Sequence, residues 1–346
     1  MTPDSPTIAM ELFELTKTLV NIPSVTGYEG ACSEFMRCQL LERRYHVELQ
    51  PVSGGRSNVL AFHGVPEVVL STHLDTVPPF VPASEDDEFI HGRGSCDAKG
   101  IVASQILAAE RLREEGVSDF GLLFLVGEET TSDGAQAANA VPRGSKYIIN
   151  GEPTENKLVI GSKGNLRLDL RTEGRMAHSA YPHLGDSAIE KMLDILADLR
   201  RLPLSQDPVL GASTMNIGVI AGGRAANVIP DKAWTEVLFR TVKDSSELRQ
   251  QIRELLEGRC EYEFVRDTPA LMMEKLDGYE TDVVAFTTDL PSLTRWGCPT
   301  LLGPGSISVA HTDHERVRKA DLVKAVDLYC RLVRELKSKI KLKPSC

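Results

Sequence analysis

The segment Val68–Pro78 is the feature that most constrains this chain of 346 residues. It begins as an apolar run rich in valine and leucine and ends at prolines, a pattern typical of a buried strand. Side chains alternate across a strand, so His73 and Asp75 leave on the same face. A metal-binding imidazole needs an acceptor for its second ring nitrogen, and a carboxylate two residues on can supply it. The pair predicts a metal ligand with its supporting acid; the alternative is two solvated residues at a strand end.

Helical and strand-like segments alternate along the first part of the chain. Apolar residues at helical spacing predict helices, and short apolar runs between Gly, Ser and Pro predict strands. The predicted helices cover about 8–20, 29–44, 98–115 and 133–140, and the predicted strands cover about 47–52, 58–62, 68–72, 122–126 and 146–150. This alternation predicts an α/β fold in which helices cover a mostly parallel sheet.

The pattern changes near residue 164 and returns near residue 268. Period-two alternation at 165–172, 214–220 and 233–242, with helices at about 186–200 and 245–256, favours an α+β unit with an antiparallel sheet. Beyond it we expect a helix at about 282–290, a strand at 299–302 and a long helix at 320–336. The sequence therefore predicts a domain made of residues 1–163 and 268–346, with residues 164–267 inserted into it as a second domain.

Charge and cysteine content restrict the partners and the compartment. A formal net charge of -10 argues against nucleic acid or an anionic membrane as the main partner, because both favour clustered Lys and Arg. Seven scattered cysteines without a Cys-x-x-Cys pair are typical of reduced thiols. No basic segment followed by an apolar core opens the chain, and no stretch is long enough to span a membrane, so we expect a cytoplasmic protein.

Several predicted strands end in residues that can bind a metal. In an open parallel sheet, function collects beyond the carboxyl ends of the strands. Asp97 precedes the helix predicted from about Ala98, where a helix cap is its alternative role. We expect these side chains to converge at one edge of the sheet. The four apolar runs lead to His73 with Asp75, to Glu128 with Glu129, to Glu152, and through Gly303-Pro304-Gly305 to His311.

The residue types indicate which metals would bind. Two histidines and at least three carboxylates, without cysteine, suit zinc, cobalt or manganese, and zinc is the first choice. The number of ligands favours two divalent ions, which would retain about one net positive charge and depress the pKa of bound water. Glu128 and Glu129 are adjacent and do not easily reach the same ion. One of them is therefore expected to bind metal and the other to act as a general base.

Five motifs in chain order resemble one known family, the co-catalytic metallopeptidases that include acetylornithine deacetylase, succinyl-diaminopimelate desuccinylase, aminoacylases and glutamate carboxypeptidase. The motifs are THLDTVP (72–78), GRGSCDAKG (92–100), GEE (127–129), GEPT (151–154) and GPGS (303–306) followed by AHTDHE (310–315). The resemblance implies that Glu128 is the general base and that Asp75 supports His73. The ligands it implies are His73 and Glu152 for one metal, Glu129 and His311 for the other, and Asp97 as the bridge between them.

The inserted segment resembles the lid and dimerisation domain of the same family. His178 matches the histidine that, in dimeric relatives, reaches the active site of the neighbouring subunit and steadies the carbonyl oxygen. Asn227 and Arg240 match positions that line the substrate pocket, and Gly305 belongs to the turn expected beside the substrate. The resemblance thus implies a homodimer formed through the lid domain. Without the resemblance, His178 would be a surface residue and Arg240 an exposed strand charge.

These features together predict hydrolysis of a linear amide bond. Glu128 would take a proton from water and pass it to the leaving amine. Residues 302–307 are most similar to acetylornithine deacetylase, so the expected substrate is a small N-acyl amino acid such as acetylornithine, acetylcitrulline or acetyl-lysine. A dipeptidase or carboxypeptidase is the first alternative, and a noncatalytic relative is the second. Nucleotide binding through residues 92–100 is disfavoured, because their glycines match neither phosphate-binding loop.

Two positions depart from the pattern of the family. The family often has Pro-Asp before the last glutamate, where this chain has Asp313-His314. We expect His314 to face solvent. Cys96 occupies a position beside Asp97 where a small residue is usual, which predicts a site sensitive to oxidation.

Overall fold

The computed structural model describes residues 5–342. The helices are α1 (Ser5–Val20), α2 (Gly30–Glu42), α3 (Lys99–Glu114), α4 (Asp133–Ala140), α5 (Ala188–Leu199), α6 (Ser246–Leu256) and α7 (Lys319–Leu342). The strands are β1 (His46–Pro51), β2 (Ser57–His63), β3 (Val68–His73), β4 (Ser84–Glu85), β5 (Phe89–His91), β6 (Phe120–Leu125), β7 (Tyr147–Asn150), β8 (Leu158–Ser162), β9 (Gly164–Glu173), β10 (Gln206–Asp207), β11 (Gly211–Ala212), β12 (Thr214–Gly222), β13 (Lys232–Thr241), β14 (Glu261–Thr268), β15 (Leu271–Met272), β16 (Thr281–Val284), β17 (Cys298–Leu301) and β18 (Arg316–Arg318).

The chain divides into two compact units. Unit 1 comprises the residues up to Ile160, Met273–Asp282, and the residues from Thr288 on. Unit 2 comprises Gly161–Met272 and Val283–Thr287. The second unit is therefore inserted into the sequence of the first.

Unit 1 is built on a sheet with a parallel centre. Strands β6, β3, β7 and β17 are neighbours in that order and run parallel. Strands β2 and β1 continue the sheet antiparallel beyond β6, and β8 is antiparallel to β17. Every residue of β3 and β6 is buried, as expected for strands covered on both faces. The predicted α/β class with a mostly parallel central sheet is confirmed.

Helices close the core of this unit. Nearly all of α3 is buried, and it packs against α1, α7 and the central strands. One continuous apolar cluster joins side chains of the sheet, such as Leu70 and Phe124, to Leu12 of α1, Met36 of α2 and Tyr329 of α7. Burial of such side chains contributes about 1.5–3 kcal/mol each, so this cluster is a large favourable contribution to the folding of the unit.

A small antiparallel sheet lies at the start of α7. Strand β18 pairs with β5, and β5 pairs with β4. The pair β18–β5 aligns Arg316 with His91 and Arg318 with Phe89. Strand β18 leads directly into α7, and β5 precedes the loop before α3. Their pairing therefore joins the segment before α7 to the segment before α3.

Unit 2 is an α+β unit, as predicted. Its sheet has the strand order β12-β13-β9-β14, and all of these neighbours are antiparallel. Alternate residues such as Leu166 and Leu168 of β9 face a core shared with α5 and α6, while the residues between them are more exposed. The two-residue period of the sequence follows from this one-sided burial.

One predicted element is wrong, the helix at 282–290. Residues Thr281–Val284 form strand β16, and Leu290–Ser292 form only a single 3-10 turn. Adjacent Val283 and Val284 favour a strand because β-branched side chains lose freedom in a helix, and Pro291 has no N–H to continue one. None of the helices within residues 5–342 has the length and apolar content of a membrane-spanning segment.

Candidate metal centre

The carboxyl ends of the central parallel strands carry the predicted ligands of unit 1. Strand β3 ends at His73, the loop after β6 carries Glu128 and Glu129, and β7 ends two residues before Glu152. Parallel strands direct their carboxyl ends to one edge of the sheet, so these residues start from a common side. The loop before α3 and the loop before β18 add Asp97 and His311.

Asp97 lies between the two histidines. Its Oδ1 is 2.9 Å from Nε2 of His73, and its Oδ2 is 3.4 Å from Nε2 of His311. Nε2 of His311 is also 2.9 Å from Oε1 of Glu129, and Nε2 of His73 is 3.9 Å from Oε2 of Glu152. The structure therefore brings all five predicted ligands together, in two groups that share Asp97.

The donor set fits divalent cations. Ligand atoms of His73, Asp97 and Glu129 all lie within 4.8 Å of one another. Asp97 and Glu152 are buried carboxylates, which are costly unless a positive charge compensates them. Imidazole nitrogens and carboxylate oxygens are the donors that zinc, cobalt and manganese accept. The residues present thus fit such a cation, and Asp97 contacts both histidines.

The Asp75 carboxylate has contacts beyond the expected one with His73. Nδ1 of His73 lies 2.9 Å from the backbone oxygen of Asp75 and 3.5 Å from its Oδ1, so the backbone carbonyl is the nearer acceptor. The carboxylate also accepts the backbone N–H groups of Glu128 and Glu129, both at 3.1 Å, and the hydroxyl of Thr26 at 2.8 Å. Asp75 thereby fixes the loop that carries both glutamates. Thr26 was not predictable, because a lone threonine in a loop has no distinctive pattern.

Asp97 does not cap the helix that follows it. The N-terminal boundary residue of α3 is Ala98, and no side chain caps that end. The Asp97 side chain is directed at the histidines instead. Its alternative role as a helix cap therefore has no support in the geometry.

Burial and neighbouring charges shift the pKa values of these groups. Hydrogen bonds with Asp97 and Glu129 raise the pKa of His311 to about 10. Burial opposes protonation of His73, but Asp75 and Asp97 outweigh it and raise the pKa of His73 as well. Burial would raise the pKa of Asp97, yet its bonds to the two histidines lower it. The metal-free centre therefore holds protons where cations would bind.

Glu128 has the environment of a base rather than of a permanent anion. Burial, followed by repulsion from Glu152, raises the pKa of Glu128 well above its ordinary value. A carboxyl group with a raised pKa can accept a proton and release it again near neutral pH. Its neighbour Glu129 is the one within hydrogen-bond distance of His311. The division of roles between the two adjacent glutamates stays a prediction.

Three of the predicted site residues belong to unit 2. His178 is exposed, and its Nδ1 accepts the N–H of Ala180 at 3.1 Å. The next residue, Ser179, donates its N–H to the backbone oxygen of Asn227, so the segments of His178 and Asn227 are adjacent. Arg240 is half-buried near the end of β13 and pairs with Asn165 of β9. The substrate roles assigned to these residues stay predictions.

The remaining positions singled out in the sequence are Gly305, Cys96 and His314. Gly305 has φ = 81°, and a Cβ added there would lie 2.5 Å from Sγ of Cys96. This close approach explains the glycine without any ligand. Burial, followed by the charge of Asp97, raises the pKa of the Cys96 thiol, which disfavours the reactive thiolate and so argues against oxidation at this position. His314 is exposed, as expected.

The chain is similar to known peptidases over most of its length. Residues 69–335 match the family model described as peptidase family M20/M25/M40. A peptidase M20 domain-containing protein of Schizosaccharomyces pombe is 40% identical over 335 residues, covering 93% of this chain and 84% of the relative. A probable carboxypeptidase of Neosartorya fischeri is 36% identical over 384 residues, covering 94% and 86%.

A solved structure has the same fold. It is a tripeptidase of Staphylococcus aureus, which superimposes with a TM-score of 0.79 at 20% identity and covers 93% of this chain and 97% of its own. At that identity the likeness speaks for the fold, while the family match and the sequence relatives speak for membership. The chain belongs to peptidase family M20/M25/M40, a family of hydrolytic enzymes.

Proposed function

We propose that this protein is a metal-dependent hydrolase that cleaves a linear amide bond and releases an amino acid with a free carboxylate. The observation that carries the proposal is the position of Asp97, which directs one oxygen at each of two histidines. The proposed ligands are His73 and Glu152 for one ion, Glu129 and His311 for the other, and Asp97 for both. Zinc is the first candidate, with cobalt or manganese as alternatives.

The chain's own residues move the proton. When bound, the two cations supply Lewis-acid polarisation of the substrate carbonyl and a lower pKa for the attacking water. Glu128 is the proposed general base, which accepts a proton from that water and returns it to the nitrogen of the leaving amine. Asp75 is a positioning residue, because its carboxylate holds the backbone N–H of Glu128 at 3.1 Å.

Residues of unit 2 are proposed to bind the substrate. Within the described part of the chain, Nη1 of Arg240 is buried and has no hydrogen-bond partner. A buried donor without a partner is costly, and a substrate carboxylate would satisfy it, since a guanidinium can donate two parallel hydrogen bonds to a carboxylate. We assign Asn227 to substrate binding as well. For unit 1 we propose, separately, that the turn of Gly305 contacts the substrate. His178 is proposed to steady the carbonyl oxygen.

Two substrate classes share this chemistry. The segment 302–307 favours a small N-acyl amino acid such as acetylornithine, acetylcitrulline or acetyl-lysine. The name of the Neosartorya fischeri relative favours a peptide that loses its carboxyl-terminal residue. In both classes the leaving group is an amino acid with a free carboxylate. The first class is the proposal from the motifs, and the second is its direct competitor.

A substrate screen separates the two classes. Protein loaded with zinc, cobalt or manganese is incubated with N-acetyl amino acids, dipeptides and tripeptides, and the released amine is quantified. The proposal expects release that requires metal and a free substrate carboxylate, and amidation of that carboxylate should abolish it. Faster release from N-acetyl amino acids supports a deacylase, and faster release from peptides supports a peptidase. No release from any substrate with any of the metals would refute the proposal.

A further inference from the structure

Glu315 is a buried carboxylate outside the proposed ligand set, and it is only 3% exposed. Its Oε1 accepts three backbone N–H groups of one short loop, those of Gly94 at 2.9 Å, Cys96 at 3.2 Å and Asp97 at 3.1 Å. Its Oε2 accepts Nη1 of Arg93 at 2.6 Å. Both oxygens are therefore occupied by the chain itself.

Arg93 extends this network and is only 2% exposed. Its Nη1 also donates to the backbone oxygen of Thr312 at 3.2 Å, and its Nε donates to that of Pro79 at 3.3 Å. Thr312 follows His311 directly, and Pro79 lies four residues after Asp75. The guanidinium thus holds the main chain directly after His311 and shortly after Asp75.

The main chain supplies a third connection between the same segments. The N–H of Gly92 donates to the backbone oxygen of Glu315 at 3.1 Å. Directly after Glu315, β18 pairs with β5. The loop 92–97 is therefore attached to the segment 311–315 through both the backbone and the side chain of one residue.

We propose that Glu315 is a positioning residue that holds Asp97 and His311 in place relative to each other for metal binding. Three N–H groups directed at one oxygen fix the peptide planes of the loop, and these planes set the direction of the Asp97 side chain. The same glutamate is four residues from His311, so it fixes both groups relative to each other. This inference rests on the proposed function. It adds a role for Glu315 and Arg93, neither of which is a proposed metal ligand.

The surroundings of Glu315 suit a negatively charged side chain. Three N–H groups and a guanidinium all direct positive charge at it, and a buried arginine without its carboxylate would be left uncompensated. In Glu315→Gln, the amide oxygen can still accept the three N–H groups, but the NH2 group then faces Nη1 of Arg93. The variant retains the volume of the side chain and removes only one partner of the pair. It therefore tests positioning with the least damage to packing.

The experiment measures zinc affinity of the metal-free protein by competition with a chromogenic chelator. Outer-shell partners of metal ligands change metal affinity by about 10–100-fold, and Glu315→Gln is expected to weaken zinc binding by that amount. With saturating zinc, the variant should regain most of its kcat with KM unchanged, because the bound ions then orient Asp97. Arg93→Lys, which retains the charge but loses the fork of donors, should weaken zinc binding in the same direction. If Glu315→Gln does not fold, the zinc affinity of Arg93→Lys tests the inference.

The matched control is Ser145→Ala in the same unit. The buried Ser145 hydroxyl donates to the backbone oxygen of Trp296 at 2.7 Å, at the amino end of β7 and so at the opposite edge of the sheet. Its loss should lower Tm and leave zinc affinity unchanged. The inference is overturned if the folded Glu315 and Arg93 variants bind zinc as tightly as the wild type, or if Ser145→Ala weakens binding equally. A wild-type protein that binds no divalent metal would refute the proposed function itself.

Discussion

At the scale of single residues, His73 and His311 each face carboxylates that favour the protonated ring. The pKa of His311 is raised to about 10, and that of His73 is also raised, so the surroundings of both rings favour the protonated form. A cation must displace these protons, because only the neutral imidazole is a ligand.

Zinc affinity should therefore increase as pH rises from 6 to 8, and binding at pH 7 should release protons. Each histidine contributes up to one proton, and the competition weakens as pH approaches the pKa of about 10 of His311. Isothermal titration calorimetry in buffers of different ionisation enthalpy measures this release directly. Binding that is independent of pH, with no proton release, would contradict the protonation state assigned to the centre.

Glu128→Gln should abolish most of the activity while the protein still binds metal. Loss of a general base lowers kcat by about 10²–10⁴-fold, and the amide retains the volume and the backbone bond to Asp75. Steady-state kinetics on the best substrate of the screen, with metal content measured in parallel, provides the test. A variant with nearly wild-type kcat would remove Glu128 from the proposed mechanism.

The proposed ligands were visible in the sequence because four of them follow apolar runs, while Asp97 lies in a recognisable motif before a predicted helix. Glu315 stood at the end of such a motif, but its partners are backbone N–H groups, and these have no side-chain signature. The bonds of Asp75 to the backbone N–H groups of Glu128 and Glu129 were not predictable for the same reason. Its position beside His73 was expected, and both its backbone oxygen and its carboxylate lie near the ring.

At the scale of elements, the parallel strands position the ligands and close packing between loops holds them there. Gly303, in the turn after β17, packs against the backbone of Glu152: an added Cβ would lie 2.4 Å from the Glu152 oxygen. Neither backbone can move without the other. The glycine is thus required by the position of a proposed metal ligand.

Gly303→Ala should displace the segment of Glu152, with a cost of about 1–3 kcal/mol in the free energy of unfolding and a loss of zinc affinity. Thermal unfolding and the chelator competition measure the two effects. Gly30→Ala at the start of α2 is the control, since nothing lies within 4 Å of a Cβ added there. If both alanine variants behave alike, packing at Gly303 does not hold Glu152.

Elements with strong periodicity were predictable, and elements defined by their partners were not. Helix α4 begins and ends where its pattern predicts, at Asp133 and Ala140. Strand β18 has three residues, and it exists because it pairs with β5. The segment 282–290 has apolar residues that also suit a helix, and pairing of β16 with β8 determines its conformation. Such long-range pairing leaves little trace in a short sequence window.

At the scale of the whole molecule, the inserted α+β unit is proposed to be the lid and dimerisation domain. The proposal extends the resemblance of the segment around His178, which is exposed on unit 2. It implies a homodimer in which each His178 acts in the active site of the other subunit. Light scattering should then give a mass twice that of the 37.9 kDa chain.

Mixing two inactive variants tests this arrangement. After Glu128→Gln and His178→Ala subunits are exchanged in equal amounts, half of the dimers are mixed, and each mixed dimer has one site with both residues intact. We expect recovery of about a quarter of wild-type activity. Each variant carried alone through the same exchange is the control. A mixture that forms hybrid dimers but stays inactive would place His178 outside the partner's active site.

The central claim is that two cations bind on either side of Asp97. Anomalous diffraction from zinc-loaded crystals, recorded on both sides of the zinc absorption edge, tests it most directly. The account predicts two peaks about 3.5–4 Å apart, one beside His73 and Glu152 and the other beside His311 and Glu129. A single peak, or peaks away from Asp97, would contradict it.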